Sequence, residues 1–124
     1  MSYATYPLSQ VYKYSPEMIK IPQECKSQIV GVEGALWSEW IQSFDKLEFQ
    51  AFPRLTAMAD FAWTNSKSDY VEFLDRLKEF NKTLAALKVN FANTKLADPK
   101  NPFTRLKRMK TWAFKDENVE YDKN

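Results

Sequence analysis

The pattern of apolar and polar positions predicts a buried strand near the end of the first third of the chain. Residues 28–37 read QIVGVEGALW, a mostly apolar run whose β-branched side chains favour extended backbone. The run lacks a clean alternation of apolar and polar positions, which is typical of a strand covered on both faces in a parallel sheet. The only two glycines of the chain, Gly31 and Gly34, lie in this run, which indicates a bulge or a close approach of another backbone.

A helical period follows over residues 45–63. The apolar positions recur at spacings of three and four, as one face of a helix requires. They are Leu47, Ala51, Leu55, Met58 and Ala62. Pro53 interrupts the pattern, so the helix is expected either to kink there or to restart with Pro53 in its first turn. Asp45 and Glu48 have the spacing of a weak capping box.

Residues 69–88 give the clearest helix. One face is apolar and the opposite face is charged, which predicts a surface that packs against the core. The apolar positions are Tyr70, Phe73, Leu74, Leu77, Phe80, Leu84 and Leu87. Ser68 or Asp69 is the predicted N-cap.

The two ends of the chain have weaker patterns. Residues 1–24 are rich in Tyr and Pro and predict an irregular segment with one helical turn near SQVYKY, whose tyrosines are expected to pack against the body of the protein. Residues 91–124 predict a turn-rich extension with a short basic amphipathic helix in FTRLKRMKTWAFK, before an acidic end.

The composition of the chain excludes several classes of catalytic and metal-binding site. The chain has 124 residues, which fit one domain, and it has no histidine and a single cysteine, Cys25. Ser-His-Asp catalysis, Cys-His catalysis, His-ligated zinc, an internal disulfide and a multi-cysteine metal site are therefore all excluded. We expect no metal site and no cofactor.

Charge and hydropathy narrow the expected partners and location. A net charge of +2 does not argue for nucleic acid or for a membrane surface as a partner. No apolar run approaches the ~20 residues of a membrane span, and the first residues lack the pattern of a signal peptide. The aromatic fraction of 15% is high, which suits either a dense core or surfaces that meet flat groups such as sugar rings.

Trp37 and Glu39 are the candidate binding residues. They stand two apart at the end of the predicted strand, so in extended backbone they face the same side. The C–H face of a pyranose packs on an indole, and a carboxylate accepts hydrogen bonds from neighbouring hydroxyls. The alternative is that the indole fills a gap in the core and the carboxylate is solvated. The residues by themselves leave both interpretations open.

A family resemblance covers these residues. GVEGALWSEWI (residues 31–41), followed by DKLEFQAFPRLTAMADFAWT (residues 45–64), resembles the last strand and last helix of the glycoside hydrolase family 20 barrel. The family pattern there is roughly Gly-x-[Gln/Glu]-[Gly/Ala]-x-x-Trp-x-Glu, then Pro-Arg, then Ala-[Glu]-x-x-Trp. The matching residues are Gly31, Glu33, Gly34, Trp37, Glu39, Pro53, Arg54, Ala59 and Trp63. The resemblance extends from about residue 8 to about residue 90.

The resemblance implies an α/β fold, namely the C-terminal fragment of a TIM (β/α)8 barrel that is rich in helix when taken alone. Residues 1–90 would be the barrel portion and residues 91–124 a C-terminal extension. Trp37 would form a wall of the pocket for the terminal sugar, and Glu39 would bind its 4- and 6-hydroxyls. The expected structural residues are Gly31 and Gly34 in the strand, and Pro53, Arg54 and Trp63, which would lock the final helix to the barrel.

Two departures from the family pattern bear on this expectation. Asp60 stands where the family usually has Glu, and the shorter side chain is expected to reach its partner poorly. The family also uses an adjacent Asp-Glu pair in a His-x-Gly-Gly-Asp-Glu motif, which acts with the 2-acetamido group of the substrate. This chain has no such motif, and Asp116-Glu117 lies in a polar tail without glycines or an expected strand.

The resulting expectation is a C-terminal segment of a β-N-acetylhexosaminidase without a catalytic residue of its own, inactive by itself. Its expected partners are an N-acetylhexosamine-containing glycan and the missing N-terminal part of the barrel. The preference for gluco- or galacto-configured sugars stays open, and so does the compartment, although the family is commonly secreted, periplasmic or lysosomal. One alternative is a non-catalytic binding or assembly module that self-associates through the apolar face of residues 70–87. A further alternative is nucleic-acid contact through Arg105, Lys107, Arg108 and Lys110.

Overall fold

The computed structural model describes residues 6–15, 18–37, 41–64, 69–104 and 106. Over these residues the chain is helical, and the described part contains no strand. The helices are α1 (Leu8–Lys13), a 3-10 helix (Gln23–Gln28), α2 (Phe44–Ala51), α3 (Arg54–Thr64), α4 (Tyr70–Ala86) and α5 (Thr94–Ala97). The expectation that the chain taken alone is rich in helix is confirmed.

The prediction of a buried strand over residues 28–37 is wrong for this structure. Gln28 ends the 3-10 helix, and the residues after it run to Trp37 without a helix, turn or bend. Val30 is 100% exposed. A strand is stabilised by hydrogen bonds and packing from neighbouring strands, and the described part of the chain supplies no such neighbour. The β-formers in the segment therefore have nothing to pair with.

The helix predicted over residues 45–63 is divided in two at Pro53. α2 ends at Ala51 and α3 begins at Arg54, because proline has no backbone N–H and its ring collides with the preceding turn. The Pro53 carbonyl accepts the Ala57 N–H at 3.1 Å, so Pro53 opens the second helix. The peptide bond between Phe52 and Pro53 is cis. The predicted restart at Pro53 is confirmed.

The predicted capping box is wrong. Ser43 is the N-cap of α2, and its side chain accepts the Lys46 N–H at 3.2 Å. Asp45 lies in the first turn of the helix, where a carboxylate is favourable beside the helix dipole. The Glu48 carboxylate instead accepts the backbone N–H of Asn90 at 2.8 Å. Glu48 therefore binds a residue far along the chain, and not the local backbone N–H of a capping box.

α4 confirms the predicted amphipathic helix in its main features. Asp69 is the N-cap, and its carboxylate accepts the Val71 N–H at 3.4 Å. On the predicted apolar face the residues buried in the core are Phe73, Leu77 and Leu84. Phe80 and Leu87, on the same face, remain exposed. The apolar face is thus longer than the surface that the described residues cover.

The core joins residues from both ends of the described chain. Its buried members are Leu8, Tyr12, Ala57, Phe73, Leu77, Ala92 and Ala97. Tyr12 stacks on Phe73 with ring centroids 4.3 Å apart, so α1 is held against α4 by two aromatic rings. The packing predicted for the tyrosines of the first segment is found for Tyr12, whereas Tyr14 is exposed.

Residues 91–98 pack into this same core, although the sequence places them in the extension. Ala92 and Ala97 are almost completely buried. The side chain of Asp98 accepts hydrogen bonds from the hydroxyls of Ser9 at 2.7 Å and Tyr70 at 2.9 Å. Residues 91–98 therefore pack in the same core as the helices. A domain boundary near residue 90, as the family resemblance implies, stays a prediction.

Several predictions fall on residues outside the described ones. They concern Glu39, Ser68, the basic residues Arg105, Lys107, Arg108 and Lys110, and the pair Asp116 and Glu117. No helix in the described ranges has both the length and the apolar character that a membrane crossing demands.

Candidate functional site

The segment that ends at Trp37 lies against α3 at one point. A Cβ added to Gly34 would stand 2.8 Å from the sulfur of Met58 and 3.2 Å from Cδ2 of Leu55, both closer than ordinary contacts. A Cβ added to Gly31 would meet no heavy atom within 4 Å in the described structure. The close approach that the two glycines indicated is therefore found at Gly34 and not at Gly31.

Trp37 projects largely into solvent. Its side chain is 55% exposed at the end of the described part of the segment. The described residues therefore leave more than half of Trp37 uncovered, and the choice between its two interpretations stays open. Because Glu39 lies outside the described residues, the shared orientation of the indole and the carboxylate stays a prediction.

A cavity of about 380 Å³ lies beside Gly34, between this segment and the helices. Residues 34–36 form one wall, Val11 of α1 contributes a second, and Leu55 and Met58 of α3 form the floor. The wall is apolar apart from Tyr6, Gln50 and Arg54. Such a cavity suits hydrocarbon groups and gives few partners to the hydroxyls of a sugar.

Arg54 lines the cavity, and Pro53 precedes it at the junction of α2 and α3. The Arg54 side chain donates through Nε to the carbonyl of Tyr6 at 2.9 Å and through Nη1 to the carbonyl of Gln50 at 3.4 Å. Pro53 is fully buried. The Arg54 contacts tie the N-terminal segment to the junction of α2 and α3, while the role of both residues in locking a helix to a barrel stays a prediction.

Trp63 behaves differently from the other expected structural residues. Its side chain is 89% exposed near the end of α3. The described residues therefore leave its ring largely uncovered, and its role in locking the helix to a barrel stays a prediction.

Asp60 forms an ion pair between α3 and α4. Its carboxylate pairs with the guanidinium of Arg76, with 2.8 Å between Nη2 and Oδ2 and 3.2 Å between Nε and Oδ1. Tyr12 adds a long hydrogen bond of 3.4 Å to the same carboxylate. The hydrogen bond to Asp60 raises the pKa of Arg76, with the charge of the carboxylate acting in the same direction. The expectation that the shorter carboxylate reaches poorly is wrong, because Arg76 of α4 comes to it.

The Asp98 carboxylate accepts hydrogen bonds from the hydroxyls of Ser9 in α1 and Tyr70 in α4. These three side chains do not form a catalytic arrangement. Burial raises the pKa of Tyr70, and its hydrogen bond to Asp98 and the nearby negative charge raise it further. Tyr70 is therefore a neutral hydrogen-bond donor, which suits a structural tie between helices. The sequence missed this cluster because Ser9, Tyr70 and Asp98 lie far apart in the chain and none belongs to a local motif.

The described residues contain no cluster of side chains that could hold a metal ion. Within the described ranges no three metal-ligating side chains of the His, Cys, Asp and Glu types converge. The two carboxylates with the most hydrogen bonds among the described residues, Asp60 and Asp98, are both bound by side chains of the helices.

Comparison with known proteins places the chain in a family. The family model described as glycosyl hydrolase family 20, catalytic domain, matches residues 2–66, which include every predicted site residue. A β-hexosaminidase of Porphyromonas gingivalis is 36% identical over 72 residues, covering 57% of this chain and 9% of the relative. A β-N-acetylhexosaminidase of Cellulomonas fimi is 32% identical over 73 residues, covering 58% of this chain and 14% of the relative.

A third relative, a β-hexosaminidase of Vibrio furnissii, is 34% identical over 55 residues, covering 43% of this chain and 9% of the relative. The matched stretch is thus only about a tenth of the length of these relatives. The match to the family model covers more than half of the chain. The chain belongs to glycosyl hydrolase family 20.

Proposed function

We propose that this chain is the part of a β-N-acetylhexosaminidase that carries the sugar-contacting residues Trp37 and Glu39, and that it does not hydrolyse glycosides by itself. The observation that carries the proposal is the exposed indole of Trp37 inside the stretch that matches the family. The names of the relatives support the substrate class, since each is a β-hexosaminidase or a β-N-acetylhexosaminidase.

Recognition of the sugar would divide between an apolar and a polar contact. The exposed face of the Trp37 indole is available to the C–H groups on one side of a pyranose ring. Glu39, two residues on, would accept hydrogen bonds from the 4- and 6-hydroxyls, as the family resemblance implies. A carboxylate acceptor strengthens such bonds relative to a neutral group.

The expected inactivity follows from the missing proton-transfer groups. In the family mechanism the acetamido oxygen of the substrate attacks the anomeric carbon, an Asp orients that group, and an adjacent Glu protonates the leaving oxygen. This chain has neither the His-x-Gly-Gly-Asp-Glu motif nor a histidine. Without the general acid, a factor of roughly 10²–10⁴ in rate is lost from that step alone. A complete site would need those groups from additional polypeptide.

The first experiment measures the chain by itself. Purified chain is incubated with a fluorogenic N-acetylglucosaminide and a fluorogenic N-acetylgalactosaminide. We expect no turnover above the buffer background. Turnover that disappears in the Glu39→Gln variant would contradict the proposed inactivity.

The second experiment tests the sugar contacts in an active protein. The 72-residue stretch of the Porphyromonas gingivalis relative is replaced by the matching residues of this chain. We expect a hexosaminidase whose kcat/KM falls about 10- to 100-fold with Glu39→Gln, because a charged hydrogen bond contributes about 1.5–3 kcal/mol. Trp37→Ala is expected to cost a similar factor, and Trp37→Phe less, because a smaller aromatic face remains.

Glu33→Gln is the matched control for Glu39→Gln. Glu33 is an exposed acid in the same segment, and the family pattern accepts Gln at this position. We expect the control to retain the activity of the unmodified hybrid. Equal losses at positions 33 and 39 would point to a loss of local structure, and no loss at position 39 would exclude the proposed role of Glu39.

A second candidate function is a non-catalytic assembly module. Exposed side chains on the apolar face of residues 70–87, namely Phe80 of α4 and Leu87 directly after it, favour it. Light scattering separates the two. A discrete oligomer with no effect of Trp37→Ala on the hybrid enzyme would support the module instead of the sugar site.

A further inference from the structure

The thioether of Met58, on α3, lies against the backbone of the segment that ends at Trp37. Its sulfur is 2.8 Å, and its methyl carbon 3.1 Å, from the position that a Cβ of residue 34 would take. The segment therefore meets the thioether through the bare backbone of Gly34. Met58 also lines the apolar cavity of about 380 Å³, together with residues 34–36. The same sulfur thus belongs to the contact at Gly34 and to the wall of the cavity.

Solvent reaches this thioether. Met58 is partly exposed, and the cavity that it lines opens to solvent. Thioethers that an oxidant reaches are converted to sulfoxides, which turns a flexible apolar side chain into a polar one. Met18, the other methionine in the described ranges, is 66% exposed and does not line the cavity. Oxidation at Met58 is therefore the one of the two that would change the surroundings of the segment.

A sulfoxide oxygen at Met58 would have few protein partners. Burying a polar group without a hydrogen bond costs free energy. The cavity wall is apolar apart from Tyr6, Gln50 and Arg54, and the Arg54 guanidinium already donates to the carbonyls of Tyr6 and Gln50. Water is the partner that best stabilises the oxygen, and water enters when the contact at Gly34 opens.

The segment is the side of this contact that yields. No hydrogen bond joins residues 30–37 to another residue that the structure describes. α3, in contrast, is fixed by the buried Ala57 and by the ion pair of Asp60 with Arg76. A shift of the segment breaks no described hydrogen bond, whereas a shift of α3 would disturb the core. An oxygen added at Met58 therefore moves the segment and not the helix.

We propose that Met58 is a methionine oxidation site, and that its sulfoxide displaces residues 34–37 from α3 and moves Trp37 with them. The oxidant is hydrogen peroxide. An S–O bond forms as the O–O bond breaks, the second oxygen leaves as water with both protons, and the sulfur gives two electrons to the peroxide. Methionine sulfoxide reductases return the sulfoxide to the thioether, so the change is reversible. The effect on sugar binding rests on the proposed function, whereas the oxidation and the displacement do not.

The two glycines give a direct test, because the chain has no others. A chain isotopically labelled on the glycine nitrogens gives separate amide signals for Gly31 and Gly34. After peroxide treatment the Gly34 signal should move, and the Gly31 signal should move much less, since a Cβ at Gly31 would meet no heavy atom within 4 Å. A nuclear Overhauser effect between the Gly34 α-protons and the Met58 methyl group should be present before treatment and lost after it. An unchanged Gly34 signal in a chain oxidised at Met58 would overturn the inference.

Two leucine variants assign the change to one methionine. Met58→Leu keeps a similar volume and cannot be oxidised, so peroxide should leave its Gly34 signal in place. Met18→Leu should respond to peroxide as the unmodified chain does. Mass spectrometry of proteolytic fragments records the oxidation of each methionine. Equal movement of the Gly34 signal in both variants would overturn the inference, and so would oxidation of Met58 only after unfolding in urea.

Reversal tests the same point without a substitution. Methionine sulfoxide reductases for both sulfoxide epimers should return the Gly34 signal of the oxidised chain to its first position. Far-ultraviolet circular dichroism should show the same helix content before oxidation, after it and after reduction. A displaced Gly34 signal that persists once Met58 is reduced would overturn the inference, as would a loss of the helices on oxidation.

The hybrid enzyme described above tests the consequence for the sugar. Peroxide should lower its kcat/KM about 2- to 10-fold through loss of part of the aromatic contact, and the reductases should restore it. The hybrid with Met58→Leu should have the same activity before and after peroxide. A hybrid that responds to Glu39→Gln but not to oxidation of Met58 would overturn the effect on sugar binding. A hybrid that responds to neither would contradict the proposed function, while the movement of the Gly34 signal would still support the displacement.

Discussion

The core of α1, α4 and α5 and the segment of residues 29–37 contain similar apolar residues in opposite surroundings. In the core, Phe73 and Leu77 are 1% exposed, and Tyr12 stacks on Phe73. In the segment, Val30 is 100% exposed and Trp37 is 55% exposed. The difference lies in the partners each region finds. A helix satisfies its own backbone and needs only one covered face, whereas a strand needs a neighbour for its backbone as well.

This comparison explains where function can lie. The core uses its polar groups for ties between helices, such as Asp60 with Arg76 and Asp98 with Tyr70. The segment leaves its groups open to a ligand. The region that the described residues pack poorly is thus the region in which the proposed sugar contact of Trp37 lies.

The largest expected effect is on the free energy of unfolding, which should fall for a substitution in the core and hardly change for one in the segment of residues 29–37. Phe73→Ala should lower the free energy of unfolding by about 3–5 kcal/mol, because it leaves a cavity in the core and removes the ring that stacks on Tyr12. Val30→Ala, in the exposed segment, should change it by less than about 0.5 kcal/mol. Urea unfolding followed by far-ultraviolet circular dichroism measures both. Similar losses for both would show that the segment is part of the cooperative core.

A smaller effect is expected inside the segment itself. Gly34→Ala should destabilise the chain by about 1 kcal/mol, because its Cβ would press on the flexible end of Met58, which has to move. Gly31→Ala meets open space, and its φ is not positive, so it should be neutral or stabilising by up to about 1 kcal/mol. Thermal unfolding of the two variants side by side checks the contrast. A loss at Gly31 equal to that at Gly34 would place a contact at Gly31 as well.

The smallest expected effect is a loss of stability at alkaline pH, which is absent at neutral pH. The pKa of Tyr70 is raised by burial and by Asp98, whereas in the unfolded chain it has its ordinary value of 10.0. A raised pKa in the folded state means that the stabilisation is complete below pH 10.0 and is lost as the pH rises through the folded pKa. Stability should therefore fall with pH above this value, and Tyr70→Phe should flatten that fall.

Unfolding midpoints between about pH 8 and pH 11 measure this difference, with Tyr14→Phe as the control, since Tyr14 is largely exposed and lies outside the core. The same slope in all three proteins would exclude a special contribution of Tyr70. A steeper fall in the Tyr70→Phe variant would reverse the sign expected here.

The sequence predicted the helices well because their signals are local. The apolar period of residues 69–88 and the aspartate before it defined α4 and its cap, and Pro53 defined the break between α2 and α3. The N-cap of α2 was predicted at the wrong residue, since Ser43 caps it while Glu48 turns to Asn90. The contact of Glu48 with Asn90, 42 positions along the chain, has no local signal in the sequence.

The candidate site shows the same division. The residue pattern around Trp37 was enough to indicate the family, which the match over residues 2–66 shows. The two glycines in one short run indicated a close approach, but the sequence did not show which glycine makes it. The structure places the close contact at Gly34, against Met58. The partners of Asp60 and Asp98 could not be predicted, since they depend on how α1, α4 and α5 are arranged.

By itself, the sequence determined the helical periods, the break at Pro53, the family pattern and the absence of histidine chemistry, since each depends on residues close together or on composition. Only the tertiary structure decided which apolar residues are covered. It buried Phe73 and Ala97, gave Asp60 a guanidinium partner, and left residues 30–37 without backbone partners among the residues that the structure describes. The physical reason is that burial and hydrogen-bond pairing each need two surfaces in contact. A β-forming sequence becomes a strand only where a second strand lies beside it.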